Sequence, residues 1–285
     1  MPRTDLALES AQQIDPEQLP PEEFSKQIVC RGRVQITYIH IKGEKAARIV
    51  GKPCGRYITV QLPPLSEATG DLAAMAQSIA LPLRRLLPDR GTVLVVGLGN
   101  EAITPDAIGP HSVRRVLATR HIQGEYARAA GLSDLRSVVT IESGVLGKTG
   151  MESGEMVRAV VERVKPCAVI AVDALAARSV QRLGCTVQIG DSGIVPGSGI
   201  GNSRQALNRQ ALGVPVIAVG VPTVVDAATL AEDLTGKTSD AESGMMVTPR
   251  EVDLLVRQAS LLVAMSINAA LQPHYAAQEL TDMAL

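Results

Sequence analysis

Apolar residues in this chain gather into short unbroken runs separated by stretches of helical spacing. TVLVVGLGN (Thr92–Asn100), SVVTIE (Ser137–Glu142), CAVIAVD (Cys167–Asp173), CTVQIG (Cys185–Gly190) and VPVIAVG (Val214–Gly220) are runs of strand length. They are rich in β-branched residues, as strands buried on both faces are. Near 66–87, 107–120, 152–164, 203–210 and 248–269 apolar residues recur three and four apart, which predicts helices. Strands alternating with helices predict an α/β fold whose sheet is mostly parallel, with helices on both faces. Ahead of them, Ile28–Ile41 (IVCRGRVQITYIHI) and Arg56–Leu62 (RYITVQL) alternate apolar with polar positions. That pattern predicts an antiparallel edge or small subdomain near residues 28–62. Residues 1–24 are polar and acidic with Pro16, Pro20 and Pro21 clustered, so they read as a mobile N-terminal arm before one α/β domain over 25–285.

Composition narrows the picture. Of 285 residues 46% are hydrophobic, yet there is no Trp and Phe24 is the single Phe, so aliphatic side chains must build the core. With 28 basic and 29 acidic residues the net charge of −1 gives no global field to hold nucleic acid or a membrane surface, and neither is expected as a direct partner. MPRTDLALES has no apolar leader core, and no run approaches about 18 apolar residues, so a cytoplasmic location is expected. Cys30, Cys54, Cys167 and Cys185 form no close pair and read as reduced, structural thiols.

In a parallel sheet the loops after the strands gather at the carboxyl edge, where open α/β folds place their ligands. The first such loop, NEAITPDAIGP, delivers Asn100, Thr104 and Asp106, and the run CAVIAV ends directly in Asp173. Both aspartates are therefore expected on one rim. Two carboxylates held close at the ends of apolar strands hinder each other's ionisation. One can then act as a base on water while the other, protonated, polarises a carbonyl, which is how a two-carboxylate protease works. The structural alternatives are a helix cap for Asp106 and a loop anchor for Asp173.

Other stretches compete. ESGVLGKTG around Lys148 has the flavour of a phosphate loop, which would make the chain a nucleotide-binding hydrolase. However, Gly144 and Gly147 are separated by two residues where that loop needs four. Asp191-Ser192-Gly193 matches the triplet of pepsin-type proteases, but those are all-β, so Asp191 reads as a turn residue. The adjoining PGSGIGN, which contains Ser198, can line a peptide groove. The four histidines are scattered without an HExxH, although His111 lies five residues past Asp106, where it can join a metal-binding cluster. Ser143 and Ser198 lack a GxSxG elbow, which disfavours a serine nucleophile. A non-catalytic binding protein on the same scaffold is the third class.

Taken in order, GNEAITPDAIGP, TRH (Thr119–His121), SGVLGKTGMES, VDALAARS, QIGDSGIVPGSGIGN and LGVPVIAVGVPTVVDA resemble the germination protease family of spore-forming bacteria. VTPREVDLLVRQASLLVAMSINAALQP resembles its closing helix, so the likeness spans nearly the whole chain. It implies an atypical aspartic endopeptidase, with no cofactor, whose essential aspartates match Asp106 and Asp173. It also implies that the enzyme starts the degradation of small acid-soluble spore proteins in the spore core as germination begins. The family is made as a homotetrameric zymogen that removes its own N-terminal segment, and it cuts after an acidic residue in a Thr-Glu/hydrophobic-Ala-x-Glu context. Thr4-Asp5-Leu6-Ala7-Leu8-Glu9 repeats that context, which predicts self-cleavage between Asp5 and Leu6. Asn100, Lys148, Asp191 and Ser198 are assigned to substrate binding or loop support. The chain is shorter than usual for the family, and Ser143 stands where the family commonly has Pro. GLGNEAITPDAIG is also similar to the hydrogenase-maturation endopeptidases, whose matching acids bind a metal. A divalent ion at Asp106 and Asp173 is accordingly the alternative, without an obvious counterpart for that family's histidine ligand.

Overall fold

The computed structural model describes residues 4–65, 72–122, 124–129, 132, 134–197, 205–236, 244–275, 279–280 and 283. In chain order its elements are α1 (Ala7–Gln12), β1 (Phe24–Arg31), β2 (Val34–Ile41), α2 (Glu44–Val50), β3 (Gly55–Gln61), α3 (Leu72–Arg84), β4 (Val93–Leu98), α4 (Ile108–Val113), α5 (Gly124–Ala129) and β5 (Val138–Gly144). Next come α6 (Leu146–Thr149), α7 (Ser153–Val164), β6 (Ala168–Ala177), β7 (Thr186–Gly190), α8 (Arg209–Leu212), β8 (Val216–Asp226), α9 (Ala227–Thr235), β9 (Met246–Val247) and α10 (Val252–Leu271).

Among the described residues, nine strands make one sheet in the order β1-β2-β3-β7-β8-β6-β4-β5, with β9 beside β8. Only β5, β4, β6 and β8 run parallel to one another. The pairs β1-β2, β2-β3, β3-β7, β7-β8 and β8-β9 are antiparallel, so the sheet is mixed rather than mostly parallel as expected. Two local causes explain the difference. Residues 28–41 form a hairpin rather than a single strand: Gly32 at φ +59° turns the chain between the paired Arg31 and Val34. Residues 178–185 then link β6 to β7, and so short a link falls below the dozen or so residues of a parallel crossover, so β7 returns antiparallel and joins the three-strand meander to the central sheet.

Each buried strand carries apolar residues on both faces because both faces are covered. Val93, Val95, Ile170 and Val172 pack with α3, α4 and α10, whereas Leu94, Val96, Val169 and Ala171 pack against Val157 and Val161 of α7. Farther along that second face, Ile39, Ile41 and Tyr57 meet α1 and α2. α10 is long and apolar enough to cross a membrane, but 78% of that stretch is buried inside the fold, where it is the central core helix. The Arg84 guanidinium caps its C-terminal end, donating to the carbonyls of Ala269 (2.7 Å) and Ala270 (3.3 Å).

Two expectations are corrected here. The start of the chain does not project as an arm: Leu6, Ala7, Leu8 and Ala11 are buried. Their apolar side chains pack into the fold and are masked by acidic neighbours in a composition-based reading. Cys30 is exposed on the edge strand β1 rather than serving as a core thiol, and all four cysteines are unpaired thiols.

Candidate active site

Glycines set the geometry at the end of β4. A Cβ on Gly97 would stand 2.6 Å from the Gly109 carbonyl oxygen, so the absence of side chains lets α4 close onto the strand. Gly99, at φ +107°, turns the chain so tightly that an added Cβ would strike the Asp106 carbonyl. The turn Thr104–Asp106 is thereby folded back over the strand end. Asp106 Oδ2 accepts the Asn100 backbone N–H at 2.6 Å, Asn100 Oδ1 accepts that of Ala102 at 3.1 Å, and the Thr223 hydroxyl donates to the Pro105 carbonyl at 2.7 Å. The half-buried Asp106 is thus fixed from both β4 and β8.

Asp173 does not end its strand, since β6 continues to Ala177. The opening comes from its neighbour: the β4 ladder stops at Gly97 opposite Val172, and Asp173 is the first residue beyond it. Asp173 is 5% exposed, and its carboxylate accepts the Ala174 N–H at 2.9 Å. Both aspartates line one cleft of about 530 Å³, together with Gly190, Ala218 and Gly220 and with Lys52, Tyr57 and Gln188. In the sheet register Asp173 of β6 pairs with Gly220 of β8, and Gly220 pairs with Gln188 of β7. Asp173 and Gln188 therefore stand on the same face, two strand spacings or about 10 Å apart at Cα, with Gly220 between them and the Leu175 side chain packed against it.

The start of the chain borders this cleft. Asp5 lines it, its N–H donates to the Ala176 carbonyl at 2.8 Å, and its Oδ2 accepts the Ala176 N–H at 2.8 Å. Gln188 spans the next peptide units, donating through Nε2 to the Asp5 carbonyl (2.9 Å) and accepting the Ala7 N–H at Oε1 (2.7 Å). Leu6 is fully buried with Leu175, Ala177 and Val225. The Lys52 ammonium donates to the Thr4 carbonyl at 2.8 Å. Burial pulls the Lys52 pKa below its usual value, opposed by the charges of Asp5 and Glu9. Burial likewise pushes the Tyr57 phenol up to about 12, while its hydroxyl donates to the Pro53 carbonyl at 2.7 Å.

The remaining sequence candidates fall elsewhere. Asn100 acts through its backbone, as the donor to Asp106. Lys148 is exposed on α6 and does not line the cleft, and neither does His111. Beside that region Arg114 binds Glu101 and Glu142. Asp191 is a latch: its carboxylate accepts both the backbone N–H and the Nε–H of Arg56 at 2.6 Å. Ser198 lies outside the described residues. Among the described residues no three His, Cys, Asp or Glu side chains gather into a metal-binding group. Sequence reasoning missed Lys52, Gln188 and Glu9. The one available signal was a polar residue, Gln188, interrupting the apolar run CTVQIG.

Comparison with known proteins adds an independent line. Residues 4–237 match the germination protease family. The chain is 39% identical to the germination protease of Caldanaerobacter subterraneus subsp. tengcongensis, over 99% of this chain and 97% of that one. It is 36% identical to that of Clostridium perfringens (98% and 97%) and 40% identical to that of Bacillus subtilis (81% and 65%). Among solved structures, a NiFe hydrogenase maturation protease from Thermococcus kodakarensis aligns over 65% of this chain and 98% of its own, with a TM-score of 0.38 at 16% identity.

Proposed function

The chain belongs to the germination protease family and is a peptidase, and from that premise we propose that Asp106 and Asp173 together hydrolyse a peptide bond located after an acidic residue. The observation that carries this reading is that Asp106, Asp173 and Asp5 line the same cleft. One aspartate, ionised, takes a proton from water as the water oxygen bonds to the carbonyl carbon. The other, protonated, hydrogen-bonds the carbonyl oxygen as the π pair moves onto it. When the C=O re-forms, the C–N bond breaks and the leaving nitrogen takes the proton the base had collected. The products are a free acid and a free amine, and both aspartates are restored.

Lys52 supports a preference for an acidic residue before the cut, because its ammonium is held beside Asp5 in an otherwise largely apolar cleft. The docked segment supports zymogen behaviour, since Asp5 lines the cleft and Gln188 holds the backbone from Asp5 to Ala7. We assign the substrates to the small acid-soluble spore proteins, degraded in the spore cytoplasm at germination by a homotetramer that processes itself between Asp5 and Leu6. No cofactor enters this scheme.

Intact-mass analysis tests the self-processing arm. Wild type, incubated at mildly acidic pH, loses residues 1–5, and Asp173→Asn keeps them. Retention by both proteins removes the self-cleavage claim, and equal loss by both assigns the cut to a contaminating protease.

A further inference from the structure

We propose that Gln188 is a catalytic residue whose side-chain amide N–H holds the carbonyl oxygen of the bond to be cut and stabilises the charge that oxygen gains. The inference deepens the peptidase reading of the cleft and rests on it. Gln188 uses both ends of its amide on one stretch of backbone: Nε2 donates to the Asp5 carbonyl at 2.9 Å, and Oε1 accepts the Ala7 N–H at 2.7 Å. The carbonyl it holds belongs to the Asp5–Leu6 peptide bond itself. The second contact fixes which way the amide faces, because only the oxygen can accept from Ala7, and the nitrogen must then point at the carbonyl.

The register places this donor opposite the acid chemistry. Asp173, Gly220 and Gln188 are in line across β6, β8 and β7, and the middle position has no side chain. Neighbouring strands lie about 4.8 Å apart, so a carboxylate and an amide donor face the cleft from two strands about 10 Å apart at Cα, a span that a bound peptide can bridge. A Cβ on Gly220 would stand 2.5 Å from Leu175 Cγ, so the glycine lets the Leu175 side chain pack down onto the strand between Asp173 and Gln188. β7 is paired on both sides, with β3 and β8, so the donor is mounted on a rigid support of the kind that preorganised electrostatic stabilisation requires.

In the reaction, water adds to the carbonyl carbon while one aspartate takes its proton, and the π pair becomes an oxyanion facing Gln188 Nε2–H. No proton leaves Gln188. Its hydrogen bond strengthens as charge develops and relaxes when the C–N bond breaks, the nitrogen taking the proton held by the aspartate. A residue that merely clamps the N-terminal segment would bind substrate and transition state equally and affect KM alone.

The test measures cleavage of the peptide Thr-Glu-Ile-Ala-Ser-Glu by wild type, Gln188→Ala and Gln188→Glu, with urea midpoints to verify folding. Removing one such donor lowers kcat by about 10²- to 10³-fold, and the expected result for Gln188→Ala is a loss of this size with a smaller change in KM. Gln188→Glu is as poor as Gln188→Ala at neutral pH and recovers relative to it as pH falls, because a protonated carboxyl regains a donor. A Gln188→Ala enzyme that keeps kcat within about threefold while KM rises makes Gln188 a binding clamp and overturns the proposal. A wild type that cuts nothing in trans or in cis overturns the peptidase reading together with this one, whereas an active wild type with an unaffected variant overturns this one alone.

Discussion

The Glu9 carboxylate, in a residue only 4% exposed, accepts the backbone N–H groups of Arg178 (2.7 Å) and Ser179 (3.0 Å). The Thr4 hydroxyl donates to the same group. One buried side chain thus fastens the start of the chain to the segment just after β6, and with it holds Asp5 in the cleft. Glu9→Ala leaves two amides without an acceptor and is expected to cost about 2–4 kcal/mol, since bonds to a charged acceptor are the stronger kind and unmade ones are expensive. Urea unfolding reads the cost, and hydrogen exchange over residues 4–12 should rise sharply; unchanged exchange would mean the segment is held by its apolar contacts alone.

Tyr57 makes stability fall at high pH. Its phenol titrates near 10 in the unfolded chain and at about 12 when folded, chiefly because it is buried, with the charge of Asp191 adding to the effect and a hydrogen bond with Ser192 opposing it. Below pH 10 the contribution is present in full. Between 10 and 12 the unfolded chain releases the proton while the folded one keeps it, and about 2–3 kcal/mol is lost across that window. Tyr57→Phe should lose about 1 kcal/mol at neutral pH with the bond to Pro53, and should show less of the alkaline decline in urea midpoints. An equal decline in both proteins would place its origin elsewhere.

Asp191 carries the triplet of a different protease class but serves here as a tie between the end of β7 and Arg56. Asp191→Ala should therefore destabilise by about 1 kcal/mol, the scale of a partly exposed ion pair with one backbone bond added, and leave kcat for peptide cutting near wild type. A kcat loss comparable to that of Asp173→Asn would instead place Asp191 in the catalytic set.

Gly220→Ala would place a methyl group between Asp173 and Gln188 and against Leu175. Overpacking of this kind costs about 1–3 kcal/mol, which Leu175 can reduce by moving. A displaced Leu175 side chain would move within the cleft that Asp173 and Gln188 line, so activity should fall further than stability does. A variant that is destabilised yet cuts at the wild-type rate would show that substrate does not pass over this position.

The central strands were legible because each is an unbroken apolar run: β4, β6, β7 and β8 all begin within two residues of the runs seen in the sequence. The direction of β7 was not, because strand polarity depends on the length of the connection and not on the strand's own residues. The shared rim of Asp106 and Asp173 was legible because each follows a buried apolar run, and they line one cleft. Lys52, Gln188 and Glu9 escaped because their roles depend on the first residues of the chain packing into that cleft. Nothing in a polar, acidic and proline-marked segment reveals that Leu6 and Leu8 become core residues.

The central claim is that Asp106 and Asp173 cut peptide bonds as a pair, and mass-spectrometric digestion of Thr-Glu-Ile-Ala-Ser-Glu tests it most directly. The measurement compares wild type, Asp106→Asn and Asp173→Asn, with and without a chelator, with each variant's folding checked by its urea midpoint. Cutting after the first Glu by wild type, insensitive to the chelator and abolished in both folded variants, is the predicted result. Cutting that persists in either variant, or that stops when chelator is added to wild type, would contradict a two-aspartate mechanism without metal.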